Sequence, residues 1–273
     1  MAMVISVTNR KGGVGKSTMA THIAAGLAIH GLNVALVDTD SQGHSSLMLG
    51  MPETNGLFEA LIDKKPLEEV VQVVSPERFS TPDALPAGNL YLLPSSALTY
   101  RIPHMLNPDE TFLFIDKLDE LAALANLDVV IIDTAPTMGL FDGSIYMATD
   151  AYLYVTECER LAFDGISKAV AQMRSITDQR KKYMGRASVI GGIIPNKMRA
   201  NTVNHRKNIE KLAKAFPGLV WTPVMLGTIW TEATNASELV YTYAPSGEEA
   251  EEARRLTAKT MEVINSWTTA DAS

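Results

Sequence analysis

The chain holds one cysteine, Cys158, in 273 residues, so no disulfide can close within it. A cysteine-ligated iron–sulfur cluster, which needs at least a pair of thiolates per chain, is likewise poorly served. Cys158 follows an apolar run and reads as a small buried residue rather than a reactive thiol. No apolar stretch approaches the roughly 20 residues of a membrane-spanning helix. The first strand pattern begins at Val4, which leaves no room for a signal peptide. Internal repeats, low-complexity tracts and linkers are absent from the sequence. Positive charge is in deficit too, at a net −7, which on its face argues against a polyanionic partner.

What is present is 46% apolar content, enough to build a core in a single domain spanning 1–273. Candidate strands at residues 4–7, 34–37, 91–93, 129–132, 151–155, 189–194 and 224–226 alternate with helical patterns. That order predicts an α/β fold, a doubly wound and mostly parallel sheet flanked by helices. Ligands bind such sheets at the C-terminal ends of the strands.

Between the first strand and a helical pattern at 19–29 stands Lys11-Gly12-Gly13-Val14-Gly15-Lys16-Ser17-Thr18. A glycine-rich turn at a helix start aims backbone N–H groups and the positive end of a helix dipole at one point, where phosphate can sit. Gly12, Gly13 and Gly15 permit the close backbone approach, with Val14 inside the same cradle. Lys16 suits the β- and γ-phosphates, Ser17 a Mg²⁺ ion, and Thr18 the α-phosphate. The common phosphate-loop pattern has glycine where this chain has Arg10, and it lacks the early lysine, Lys11.

Two further acidic boxes follow strand patterns. In Asp38-Thr39-Asp40-Ser41-Gln42-Gly43 the two carboxylates at i, i+2 point the same way, toward the phosphates or into a simple turn. Asp133 closes Val129-Val130-Ile131-Ile132, the Walker B pattern, and suits Mg²⁺ held through water.

These boxes together resemble the ParA/MinD family, whose deviant Walker A loop reads KGGxGK[ST] and whose second box reads DxDxQG. The resemblance implies a P-loop NTPase fold and an ATP-sandwich homodimer in which Lys11 reaches the partner's nucleotide. Taken alone, Lys11 is a solvated loop charge. By the same resemblance Asp40 orients or activates the attacking water and Asp38 supports the Mg²⁺ shell. The segment 150–166 resembles the strand and loop that face the partner, with Glu159 and Asp164 at the interface or the nucleotide. Their other reading is two surface acids at a helix N-terminus. Asn196 ends a strand where relatives read adenine with an amide, or is a strand-end turn residue. Within the family, the lone cysteine makes the nitrogenase iron protein and CxxC cluster carriers poor matches.

Charge distribution qualifies the net value. From Lys168 to Lys214 twelve basic residues stand against two acids, half of all Lys and Arg in one stretch. In ParA proteins the corresponding region binds DNA without sequence preference. The first candidates are Arg199, Arg206 and Lys207, then Arg180, Lys181 and Lys182; the alternative is solvated helix and loop faces. No helix-turn-helix pattern precedes the phosphate loop, so operator binding is not expected. MinD-type proteins end in a basic amphipathic helix. Here the last helix opens on a capping box, Ser246-x-x-Glu249, among acids that an anionic leaflet repels, so no membrane is expected. Its Leu256, Val263, Ile264 and Trp267 read as core contacts, and residues 268–273 as a disordered tail. Residues 75–88 and 94–108 read as loops, and 109–124 as a helix.

The resemblance implies a Mg²⁺-dependent ATPase with a slow basal rate, cytoplasmic and nucleoid-associated, that dimerises on ATP and binds nonspecific DNA. A ParB-like partner would stimulate hydrolysis, and the cargo would be a plasmid or chromosomal region. One alternative keeps the ATPase and changes the cargo to a protein assembly such as a carboxysome or chemoreceptor cluster. Another is a small-molecule ligase of the dethiobiotin synthetase type. A tyrosine-kinase relative is disfavoured because the C-terminus lacks a tyrosine cluster.

Overall fold

The computed structural model describes residues 2–271 apart from 84–85, 108–109, 111 and 137–139. Seven strands form one sheet: β1 (Met3–Thr8), β2 (Val34–Asp38), β3 (Gln72–Val74), β4 (Leu90–Leu93), β5 (Val129–Asp133), β6 (Ala151–Glu157) and β7 (Val189–Asn196). Their order is β3-β4-β2-β5-β1-β6-β7, parallel throughout except at the β3–β4 edge. Every residue of β2 and of β5 is buried, as strands covered on both faces by crossover helices must be.

The two-residue side-chain period divides the core. Val129 and Ile131 join Ile5, Val7 and Leu36 on one face, under the helix Lys16–Ile29 and the last helix, Glu248–Asp271. Val130 and Ile132 join Ala35 and Val37 on the other, under the helices Gly56–Leu61, Leu113–Leu124 and Leu140–Ala148. Tyr152 and Tyr154 of β6 pack beneath the long helix Arg160–Met184 and, through Leu212, the helix Val203–Ala215. Lys16–Ile29 is buried along most of its length, being held between sheet and last helix. Gly26 permits that approach, since a Cβ there would lie 2.0 Å from Thr257 Oγ1 and 2.7 Å from the Tyr241 hydroxyl.

Several expectations are corrected. Residues 224–226 form no strand; they make one isolated bridge, Met198 to Met225, beside another from Ile193 to Val220. Pro223 between them has no N–H with which to continue a ladder. The edge strand β3 escapes sequence reading because it is three residues long with Val73 exposed. The stretch 94–108 contains a 3₁₀ turn, Ala97–Arg101, capped by the Ser96 hydroxyl, and a short helix, Ile102–Met105. The following helix starts at Leu113 rather than 109. The last helix begins at Glu248, one residue later than the capping box places it, and continues through the expected tail to Asp271. Among the described residues no helix is long and apolar enough to cross a membrane.

Candidate nucleotide site

The phosphate loop leaves the end of β1 and turns into the helix Lys16–Ile29. Gly13 (φ +73°) and Gly15 (φ +98°) occupy the left-handed region that excludes most side chains. A Cβ on Gly15 would also meet Asn196 Nδ2 at 2.3 Å. That contact explains Asn196: its amide nitrogen donates to the Val14 carbonyl at 2.8 Å, and its Oδ1 accepts from the Lys197 N–H at 2.8 Å. The amide braces the loop from the end of β7. The adenine reading of Asn196 is therefore corrected, because the amide is turned to the chain's own backbone.

Lys16 is buried at the first helical position. Burial lowers its pKa, while Asp133 and Asp40 work in the opposite direction. Both strand-end acids come together beneath it. Asp38 and Asp133 face each other in register across β2 and β5, and both are fully buried. Burial pushes the Asp38 carboxyl up to about 6, although the N–H groups of Asp40 and Ser45 donate to it at 2.9 and 3.1 Å. Asp133 is pushed well above the usual carboxylate range by burial and then by Asp38, with Ser17 and Lys16 pulling it back. Asp133 Oδ1 is buried without a hydrogen-bond partner. Two desolvated carboxylates and an orphaned oxygen beside the Ser17 hydroxyl fit a divalent cation, whose charge would relieve their mutual repulsion. Asp40 stands at the site's edge, its Oδ1 accepting from the Gln42 N–H at 3.1 Å.

A cavity of about 850 Å³ opens over this group, lined by Gly12, Gly13, Gly15, Lys16, Ser17, Thr18 and Asp40. Its other walls include Thr39, Gln42, His44, Tyr100, His104 and Lys197, none of them singled out as site residues from sequence. Gln42 belongs to the Asp38–Gly43 box and His44 directly follows it. Tyr100 and His104 are brought in from a stretch without any motif.

A family model described as an AAA domain matches residues 2–185. The sporulation initiation inhibitor protein Soj of Bacillus subtilis is 26% identical over 261 residues, covering 92% of this chain and 95% of that protein. The chromosome partitioning protein ParA of Myxococcus xanthus is 33% identical over 169 residues, 60% of this chain and 56% of that one. This chain belongs to the ParA/MinD family of P-loop ATPases. The solved structure of Cyanothece apo McdA has the same fold, with a TM-score of 0.77 at 17% identity, covering 97% of this chain and all of that one.

The second lysine of the family's loop, Lys11, lies outside the cavity and half exposed. Its ammonium pairs with Glu157 at the end of β6, with Glu159 3.9 Å away, and the Glu157 hydrogen bond leads the effects that raise its pKa. Glu157 also takes Lys197, 3.4 Å from its other oxygen, and Lys197 Nζ donates in turn to the Gly13 carbonyl. Lys197 holds φ +56°, a conformation that costs a non-glycine residue roughly 1 kcal/mol. Glu159 is exposed at the N-terminus of the long helix and is not among the cavity's lining residues. The Asp164 side chain lies outside the described residues.

The basic candidates divide. Lys181, Lys182, Arg199, Arg206 and Lys207 are exposed. Arg180 is not, and its assignment to a DNA surface is corrected. Its guanidinium is fully buried, paired with Asp150 and donating from Nε to the Met147 carbonyl at 2.9 Å. Asp150 in turn accepts from the Val4 N–H at 2.8 Å. A buried cation so held is a strut between the long helix and the sheet. The strut also fixes where Lys181 and Lys182 sit: beside Asp150, which precedes β6, whereas Arg199 follows the other end of β7.

Proposed function

We propose that this chain is a ParA-type ATPase, a single P-loop domain that dimerises on ATP, binds duplex DNA through its phosphates, and lets go after hydrolysis. The observation that carries the reading is a phosphate-loop cavity walled by Lys16, Ser17 and Asp40, with a buried acid pair packed behind it and an extra lysine, Lys11, half exposed outside it. In this reading Lys16 and the loop N–H groups hold the triphosphate, while Ser17, Asp38 and Asp133 hold Mg²⁺. Bound there, Mg²⁺ neutralises charge on the β- and γ-phosphates. Asp40 orients the attacking water from the cavity edge, and Lys11 serves the nucleotide of a second copy. Phosphoryl transfer asks for positioning and fixed charge rather than covalent work, which is what these residues can supply.

Kinship with proteins named for partitioning supports, as part of this proposal, a role in partition of a plasmid or chromosome, in the cytoplasm and over the nucleoid. A ParB-like partner would set the pace of hydrolysis. Sedimentation and ATP turnover, measured with and without duplex DNA across a salt series, test the proposal together. An ATP-dependent dimer is expected, with the logarithm of its DNA affinity falling linearly with log salt. Turnover that needs a metabolite and ignores DNA would instead favour a small-molecule ligase. A protein assembly recovered with the ATP-bound form, in place of a centromere-binding protein, would change the cargo.

A further inference from the structure

We propose that Glu157 is a latch that holds Lys11 within its own chain and so sets the ATP concentration at which two chains close. The proposal rests on the dimer reading above. Three elements meet at this carboxylate: Lys11 from the phosphate loop on one oxygen, Lys197 from beyond β7 on the other, and β6, whose last residue Glu157 is, beneath them. Glu157 pairs in register with Asn196, the residue that braces the loop at Val14. The latch is thus built on the same strand end that fixes the loop's shape.

A Lys11 ammonium committed to Glu157 is not available to a neighbouring chain, because one point charge cannot sit on its own carboxylate and on another molecule's phosphate at once. Dimer closure therefore has to exchange the Lys11–Glu157 pair for a Lys11–phosphate contact. Lys197 makes that exchange inexpensive. When Lys11 departs, Glu157 keeps a cation 3.4 Å away, so no carboxylate is stranded in a partly buried position. Lys197 Nζ is also tied to the Gly13 carbonyl, so the latch rests directly on the loop that takes the triphosphate. Glu157 touches no reacting group; it is a positioning residue.

The pair is half exposed on the lysine side, and a pair of that kind weighs on the order of threefold in an equilibrium. Two such latches open per dimer, which makes about tenfold in all. Light scattering against an ATP and Mg²⁺ titration reads the effect. Glu157→Gln keeps the side chain's size and, because two ATP molecules enter each dimer and share the tenfold gain, is expected to dimerise at about one third the ATP concentration that wild type requires. Acetic anhydride labelling of the nucleotide-free chain, read by mass spectrometry, is expected to modify Lys11, and with it Lys197, faster in Glu157→Gln while lysines away from this carboxylate keep their rates. Dimerisation of the variant at unchanged or higher ATP, with wild type dimerising normally, overturns the latch alone. Unchanged Lys11 labelling overturns the contact itself. Wild type that stays monomeric at saturating ATP and Mg²⁺ overturns the dimer reading, and the latch with it.

Discussion

Each charged side chain at the nucleotide site has a separate task, and depth sets which one. Lys16 is buried and its ammonium costs desolvation, so its place is justified only by an anion that shares the site. Lys16→Ala is expected to abolish nucleotide binding, read by fluorescence of a labelled ATP analogue. Asp40 is at the edge, with no part in the buried acid pair. Asp40→Ala is expected to slow phosphate release by about 100-fold or more while nucleotide affinity changes only a few-fold, the pattern of a lost water-orienting group. Turnover at the wild-type rate in Asp40→Ala would remove Asp40 from that role. Depth also explains the misplacement of Arg180. Counting charge along a sequence window treats every Lys and Arg as surface, and nothing in Gln179-Arg180-Lys181-Lys182 announces that one of them pairs inward with Asp150.

At the scale of elements, what the sequence made legible is what is written in one unbroken stretch. The glycine loop, Asp38 ending β2 with Asp40 just beyond it, and Asp133 ending β5 are local patterns, and the parallel register brings them to one end of the sheet as expected for such folds. Contacts made across the register were not legible. Glu157 and Lys197 are 40 positions apart and meet only because β6 and β7 end level with each other. Asn196 was placed correctly at a strand end, but the side to which its amide turns depends on the loop's curvature. Gly26 offered no signal at all in a helical pattern, yet it marks where the helix Lys16–Ile29 meets the last helix. Gly26→Ala is expected to destabilise the fold by about 1–3 kcal/mol, since Thr257 and Tyr241 must shift to make room. Urea denaturation checks it, and an unchanged midpoint would mean that the two helices part freely.

For the whole molecule, His22 links the nucleotide site to the far packing layer. It is buried, its Nδ1–H donates to the Thr18 carbonyl at 2.7 Å, and its Nε2 accepts from the Val240 N–H at 3.1 Å. Burial lowers its pKa to about 4, with the Thr18 bond opposing. The folded state therefore binds its proton less readily than the unfolded chain, whose histidine titrates near 6.5. Stability from the neutral ring is complete above about pH 6.5 and is lost as pH falls toward 4, by about 3 kcal/mol in all. Urea midpoints taken between pH 7 and pH 4.5 are expected to fall more steeply for wild type than for His22→Gln; parallel curves would show that another group carries the slope.

The two exposed basic groups stand at opposite ends of β6 and β7, and seven strand residues at about 3.3 Å each put those ends about 20 Å apart. Groups so far apart should act independently on DNA affinity. Charge reversal at Lys181 and Lys182 and charge reversal at Arg206 and Lys207 are expected to weaken binding by factors that multiply in the combined variant. A combined loss equal to either one alone would mean that only one end meets the nucleic acid. If both ends do, a straight duplex must run parallel to the strands for at least about six base pairs, at 3.4 Å per pair. The height of the sheet then sets the shortest stretch of double helix that one copy of the chain can grip along its whole flank.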